Sequence, residues 1–100
     1  MAHPTCYMIV LGAFTDYGRF MRDYQTAVAP LIERFGGEYV LVGGDLKLLE
    51  GAFPEGGGAV VSHWPSREAA LRFWNSPDYA AVRQLREGTG TFQVVLVDTQ

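Results

Sequence analysis

The chain has 100 residues, of which 48% are hydrophobic and only 19% charged. A small monomer cannot easily bury so much apolar side chain, so self-association is expected. The net charge of -3 at pH 7 and the lack of a Lys/Arg cluster argue against nucleic acids and anionic membranes as partners.

The length predicts a single domain over residues 1–100. Cys6 is the only cysteine, so no internal disulfide can form, and a reducing, cytoplasmic location is expected. The apolar run at residues 6–14 is too short to span a bilayer. His3 lies in a segment expected to be flexible and is given no role.

The first half of the chain predicts a strand, a long helix and a second strand. Residues 6–12 (CYMIVLG) are an apolar run of strand-forming residues that ends in glycine. A helix is predicted to start after Asp16 as its N-cap and to end at Gly36. Its apolar residues recur at helical spacing, at Phe20, Tyr24, Val28, Leu31 and Phe35. Pro30 lacks a backbone donor, so a kink or break near Ala29 is expected. EYVLVGG is the second strand.

The second half predicts one short extra strand, two further strands and a helix in two parts. Residues 46–51 (LKLLEG) are predicted to fold back as the extra strand, before a surface loop. Residues 59–64 (AVVSHW) form the next strand, and residues 91–98 (TFQVVLVD) form the last. Helices are predicted over residues 67–75 and from Pro77 to about Arg86. Their expected caps are Ser66, Asn75 and Ser76.

This order of elements predicts an α+β fold, a ferredoxin-like βαββαβ sandwich with two helices on one face of an antiparallel sheet. The first and last strands are apolar on both faces. Cys6, Met8, Val10, Val94 and Leu96 alternate with Tyr7, Ile9, Leu11, Val95 and Val97. One chain supplies helices for only one face, so we expect a second copy to cover the other in a two-fold homodimer.

Several short motifs together resemble a known family. They are Tyr24, Gly36-Gly37, Gly43-Gly44, Leu49-Glu50-Gly51, Pro65-Ser66, the NSPDY of residues 75–79, Arg83 and Arg86. In this order they are similar to domain-of-unknown-function family 1330 over nearly the whole chain. The resemblance implies a dimeric α/β barrel but no particular reaction. Its wider superfamily includes haem-binding enzymes and cofactor-free monooxygenases, isomerases and cyclases of polyketide or aromatic compounds.

The chain departs from the family pattern next to three of these motifs. His63 stands where the family usually has an acidic residue before the aromatic-Pro-Ser motif, and Trp64 replaces phenylalanine. Glu38 and Val42 stand where basic residues are common. These departures imply a specialised pocket.

His63 is the first of three candidate catalytic residues. We expect it at the end of the sheet where the first strand ends near Gly12 and both helices begin. Imidazole titrates near neutral pH, so His63 is a candidate general acid or base. The alternative is a structural histidine, hydrogen-bonded at the end of a strand. No metal site is predicted, because zinc needs three or four ligands and no second histidine lies nearby in sequence.

Tyr24 and Glu50 are the other two catalytic candidates. Tyr24 lies on the apolar side of the first helix, where it either packs in the core or directs its hydroxyl at a carbonyl or phenol. Glu50 is either a carboxylate base or a structural residue that accepts backbone N–H groups in a turn.

Four residues are candidates for substrate binding: Trp64, Trp74, Tyr79 and Arg83. The tryptophans are either core residues or pocket walls. Arg83 and Arg86 are expected to be solvated or paired with carboxylates at the dimer edge, with anion binding as the alternative.

No catalytic-triad, dinucleotide or phosphate-loop motif is present, and no cofactor is predicted. From the resemblance, we predict a cofactor-free enzyme of the monooxygenase, isomerase or cyclase type, acting on a small hydrophobic aromatic or carbonyl compound. The alternative is a non-catalytic ligand-binding or dimerisation module. A cavity that holds both His63 and Tyr24 favours the enzyme, and a filled core with no convergent polar groups favours the module.

Overall fold

A computed structural model describes residues 4–100, so His3 lies outside the described residues. The strands are β1 (Cys6–Phe14), β2 (Glu38–Gly44), β3 (Gly58–Trp64) and β4 (Gly90–Asp98). The helices are α1 (Tyr17–Arg19), α2 (Thr26–Arg34), α3 (Arg67–Trp74) and α4 (Pro77–Arg83). A π-helical segment (Phe20–Gln25) joins α1 to α2, and a 3-10 turn (Gln84–Arg86) follows α4.

The four strands form one antiparallel sheet in the order β2-β3-β1-β4. Each of the two central strands is therefore paired on both sides. This is the strand arrangement of a ferredoxin-like βαββαβ sandwich, and it confirms the predicted α+β fold class.

The two faces of the sheet have different surroundings. Cys6, Met8 and Trp64 point toward the helices and form the buried core with α2, α3 and α4. The opposite side, the open face, consists of Tyr7, Ile9, Leu11, Val61, His63, Val95 and Val97. Within residues 4–100, no element covers this face, and Val95 is 52% exposed.

Side-chain caps fix the helix starts where the sequence predicts them. Asp16 accepts a hydrogen bond from the Arg19 backbone N–H, as Ser66 does from Ala69 and Ser76 does from Tyr79. Each bond satisfies one of the backbone donors that a helix N-terminus leaves free. The expected cap role of Asn75 is different, because this residue ends α3 instead.

The structure corrects two local predictions. Residues 46–51 form no strand and belong to the connection between β2 and β3. Two backbone hydrogen bonds between Leu46 and residues 56–57 hold the two ends of this connection together. The predicted break near Ala29 is also absent, since α2 runs through Pro30. The helix is instead irregular one turn earlier, in the π-helical segment. This segment ends next to Thr26, whose carbonyl the ring of Pro30 would crowd in a regular α-helix.

No helix in the described part of the chain is long and apolar enough to cross a membrane.

Candidate functional site

Two adjoining spaces lie on the helix side of the sheet. The inner cavity has a volume of about 40 Å³ and lies between the sheet, the π-helical segment and α4. The outer cleft, of about 610 Å³, lies beside the glycine-rich ends of β2 and β3. Both are lined by Val10, Phe20, Gln25, Val60 and Phe92. The two spaces are therefore direct neighbours, separated only by these side chains.

The π-helical segment supplies much of the wall between the two spaces. Phe20 and Gln25 line both of them, and Tyr24 lines the inner cavity. The wider turn of a π-helix lets the adjacent Tyr24 and Gln25 both face inward, and such segments are frequent at functional sites. Phe20 also stacks on Phe92, with ring centroids 5.5 Å apart, which holds the segment against β4.

Polar groups from distant parts of the chain converge on the inner cavity. The Tyr24 and Tyr79 hydroxyl oxygens are 2.8 Å apart and share one hydrogen bond. Gln25 Nε2 donates to the Tyr39 hydroxyl oxygen over 3.1 Å. Only one of the two hydroxyl protons of Tyr24 and Tyr79 takes part in their shared bond, and Tyr39 only accepts from Gln25. Each pair therefore keeps one tyrosine O–H that makes no hydrogen bond within the pair. The cavity therefore offers hydroxyl donors in a largely apolar wall.

Arg86 adds a cation to these donors. Its guanidinium carbon lies 4.4 Å from the centre of the Phe92 ring and 5.6 Å from that of Tyr24. Within residues 4–100, its buried Nε–H has no hydrogen-bond acceptor. Arg86 forms no ion pair with a carboxylate among the described residues, and its expected pairing at the dimer edge stays a prediction.

Tyr24 and Tyr39 are held in their neutral form because their pKa values are raised. Burial raises the pKa of Tyr24, and the neighbouring Tyr79 raises it further, whereas Arg86 acts in the opposite direction. Burial also raises the pKa of Tyr39, although its hydrogen bond from Gln25 lowers it. Both hydroxyls are therefore protonated at neutral pH. Neutral hydroxyl donors beside a guanidinium can bind a carbonyl oxygen or stabilise an oxyanion.

The structure brings together three of the residues predicted for the site. Tyr24, Trp74 and Tyr79 all line the inner cavity. The Trp74 and Tyr79 rings are 5.2 Å apart, and Tyr79 is only 2% exposed. Their roles toward a ligand remain predictions.

His63 is not part of this cavity, because it lies on the open face of the sheet. The expectation that it sits near Gly12 is wrong: β1 and β3 are antiparallel, so His63 pairs with Tyr7 at the opposite end of β1. The Tyr7 and His63 rings are 5.0 Å apart. His63 and Tyr24 therefore occupy opposite sides of the sheet and cannot act within one cavity of the same chain.

The other predicted site residues also lie outside the inner cavity. Trp64 is fully buried and donates from Nε1 to Ser62 Oγ over 2.8 Å, so it is a core residue. Glu50 is exposed in the connection between β2 and β3. Arg83 is exposed as well, with its guanidinium carbon 5.4 Å from the Trp74 ring centre.

We expect His63→Leu to leave the stability unchanged or slightly higher. The His63 side chain makes no hydrogen bond in the described part of the chain, and leucine suits the apolar open face. Urea unfolding at neutral pH and fixed protein concentration measures the effect, with His63→Gln as the polar control. A loss of roughly 1–3 kcal/mol with an unchanged slope would instead show a structural hydrogen bond.

Gln25 and Tyr39 were not among the site residues predicted from the sequence, and for Arg86 anion binding was only the alternative role. Gln25 follows Tyr24 directly, and in a regular α-helix adjacent residues point in different directions. Only a local π-helical turn places both in the cavity, and the sequence carries no clear sign of one. Arg86 belongs to a recognised motif, but its position over Phe92 depends on β4, which the motif does not include.

No group of three or more His, Cys, Asp or Glu side chains in residues 4–100 is arranged to hold a metal ion. Within the same range, the inner cavity is lined by no imidazole or carboxylate. Its polar side chains can therefore orient and stabilise an oxygen atom but include no conventional general base.

The family model for a domain of unknown function, DUF1330, matches residues 5–100. The chain belongs to the DUF1330 family. This confirms the resemblance drawn from the sequence motifs. No curated protein matches the chain significantly.

Solved structures similar to this DUF1330 chain share its fold at low identity. A protein of unknown function from Rhodopseudomonas palustris is 18% identical, with a TM-score of 0.79 over 97% of this chain and 83% of that one. A dimeric protein of unknown function with a ferredoxin-like fold, from Bacteroides fragilis, is 16% identical, with a TM-score of 0.66 over 95% and 96%.

One similar structure has a described activity. SnoaB, a cofactor-independent oxygenase from Streptomyces nogalater, is 11% identical, with a TM-score of 0.62 over 98% of this chain and 95% of that one. At this identity the likeness concerns the fold alone.

Proposed function

We propose that the chain binds a small hydrophobic aromatic or carbonyl compound on the helix side of its sheet and acts on it without a cofactor. The observation that carries this proposal is the convergence of the Tyr24–Tyr79 pair, the Gln25–Tyr39 pair and Arg86 on one small cavity. Ligand pockets commonly combine apolar walls with a few polar groups that orient the ligand. The outer cleft supplies the apolar walls.

The proposed reaction is of the monooxygenase, isomerase or cyclase type. Reactions of these three types can begin from an enolate or phenolate, which forms when the compound loses a proton to water and whose oxygen carries negative charge. In the monooxygenase case dioxygen is the oxidant: one of its oxygen atoms enters the product and the other leaves as water. Protonated tyrosines and an arginine around that oxygen stabilise the charge. The fold shared with a cofactor-independent oxygenase supports this choice by analogy.

A non-catalytic binding module is the second candidate. The observation that favours it is the lack of an imidazole or carboxylate among the described residues that line the inner cavity. A module binds the compound and releases it unchanged. Liquid chromatography with mass spectrometry, together with proton NMR, of the compound after incubation in air and under nitrogen distinguishes the two candidates, because an isomerised product keeps its mass but changes its retention time and spectrum.

We also propose that the protein is a homodimer in which two open faces pack together. The open face presents Tyr7, Ile9, Leu11, Val61, Val95 and Val97 to solvent in one chain. Packing sheet against sheet about a two-fold axis would bury this surface in both chains at once. Two similar structures are of dimeric ferredoxin-like proteins, which is consistent with this assembly.

A cytoplasmic location is proposed as well. Cys6 is buried, and burial raises the pKa of its thiol, to which the nearby Asp98 also contributes. An isolated and unreactive thiol of this kind suits a reducing compartment.

We expect Val60→Phe to abolish binding of 1-hydroxy-2-acetonaphthone, a neutral aromatic ketone. Val60 lines both the inner cavity and the outer cleft, so a larger side chain there occupies the space that the ligand needs. Isothermal titration calorimetry should give a wild-type Kd of about 100 µM or tighter and at least a ~10-fold loss in the variant.

The matched control is Val40→Phe, which makes the same change at an exposed position of β2 outside both spaces. Thermal unfolding verifies that both variants fold. If the wild type fails to bind, or if Val60→Phe binds as the wild type does, the proposed pocket is wrong.

A further inference from the structure

The inner cavity has an imbalance of charge and of hydrogen-bonding groups. Arg86 is its only charged lining residue within the described part of the chain. The tyrosine pair and the Gln25–Tyr39 pair each leave an unused O–H donor, and Arg86 Nε–H has no acceptor. A buried donor without an acceptor destabilises the fold, and more so when it is charged. The lining therefore suits a ligand that brings acceptor oxygens and a negative charge.

The Arg86 backbone is held firmly at this position. Its carbonyl oxygen accepts from the Thr89 backbone N–H over 3.1 Å and from the Thr89 hydroxyl over 2.5 Å. Thr89 is fully buried, and its own carbonyl accepts from the backbone N–H groups of Thr15 and Asp16. Together with the contact of the guanidinium to Phe92, these bonds fix the arginine before any ligand arrives.

The size of the two spaces indicates how a ligand would lie. The inner cavity, about 40 Å³, accommodates a group the size of a few water molecules, since a cavity needs roughly 10–15 Å³ to hold one water. The outer cleft, about 610 Å³, accommodates a ring system. Two exposed carboxylates, Asp45 and Glu55, line the outer cleft, so an anionic group is favoured only at the inner end.

We propose that the ligand is an aromatic carboxylate whose carboxylate group enters the inner cavity and is bound by Arg86, while its rings fill the outer cleft. This inference rests on the function proposed above and narrows its substrate class. A guanidinium matches the two oxygens of a carboxylate in a planar, paired geometry. The unused tyrosine O–H groups donate to the same oxygens.

The test compares two compounds of nearly the same size and shape, 1-hydroxy-2-naphthoate and 1-hydroxy-2-naphthamide, in which a charged carboxylate is replaced by a neutral amide. We expect the wild type to bind the naphthoate at least ~10-fold more tightly in calorimetry, as suits a charge-assisted hydrogen bond. Arg86→Met, which keeps an apolar stem over Phe92, should lose this preference and bind both compounds with similar affinity. In wild-type protein, the Arg86 Nε–H resonance should shift on addition of the naphthoate and hardly move with the amide.

The matched control is Arg34→Met. Arg34 also lies over an aromatic ring, that of Phe35, but lines neither the inner cavity nor the outer cleft. Its variant should keep the preference for the naphthoate. If Arg86→Met does not fold, Arg86→Lys replaces it and should weaken the preference while keeping the charge.

The outcomes separate this inference from the proposed function. Equal binding of the two compounds by the wild type, or a preference that survives in Arg86→Met, overturns the carboxylate assignment and leaves the aromatic pocket standing. Failure of both naphthyl compounds and of the ketone to bind overturns the pocket, and the assignment with it.

Discussion

Val95→Lys is expected to yield a protein with the mass of one chain at micromolar concentrations, where the wild type has the mass of two. Val95 lies on the open face of β4 opposite Ile9 of the central strand β1 and is half exposed within one chain. A lysine there is tolerated by the isolated chain but would be buried in the proposed interface. Removing an unpaired ammonium from water costs several kcal/mol, and each ~1.4 kcal/mol weakens association tenfold.

Light scattering over a dilution series measures the mass of both proteins. Leu71→Lys is the matched control, because Leu71 is a partly exposed apolar residue on α3, on the other side of the molecule from the open face. It should retain the mass of the wild type. A wild type that is a folded monomer at every concentration, or a Val95→Lys protein that remains a dimer, would refute this assembly.

Gly57→Ala is expected to lower the free energy of unfolding by about 3 kcal/mol or more. A Cβ at Gly57 would overlap the carbonyl oxygen of Gly12 in β1 and would lie 3.2 Å from the Ala13 Cα. These are backbone atoms of the central strand, so no side chain can rotate to make room. The start of β3 would have to separate from β1, which also distorts the outer cleft that Gly57 lines.

The neighbouring glycine provides the control. Gly56 has a φ of +86°, but a Cβ added there would meet no other atom within 4 Å. Gly56→Ala therefore costs only the left-handed backbone strain of about 1 kcal/mol. Urea unfolding of both variants at one protein concentration gives the comparison. Similar losses at the two positions would show that backbone conformation, and not the contact with β1, makes Gly57 necessary.

Much of the fold follows from the sequence because its signals are local and strong. The apolar strands alternate visibly, and Asp16, Ser66 and Ser76 mark helix starts that the structure contains. The extra strand predicted at residues 46–51 fails for a tertiary reason. Although Leu46, Leu48 and Leu49 favour a strand, the segment pairs with no strand within residues 4–100.

The candidate site was harder to predict because it depends on long-range geometry. The Tyr24–Tyr79 hydrogen bond joins residues 55 positions apart, and no spacing rule links them. His63 is a candidate from the sequence because it lies at the end of a strand. The direction of β1 relative to β3, however, decides which end of the sheet it occupies. The alternation of side chains then places it on the open face. Strand pairing, more than residue type, therefore separates the residues of the cavity from those outside it.

The π-helical segment can also be regarded as a one-residue insertion into the first helix. A regular α-helix turns about 100° per residue, so an added residue would rotate everything beyond it. The wide turn absorbs that rotation: Val28, Leu31 and Ile32 of α2 stay in the core, and the extra residue brings Gln25 beside Tyr24 at the cavity. A relative one residue shorter between Asp16 and Thr26 would keep the apolar side of α2 in the core with a regular α-helix. It would then present only one polar side chain at the position of Tyr24 and Gln25. Helix length, independently of the identity of any catalytic residue, could therefore divide proteins of this fold into groups with different ligands.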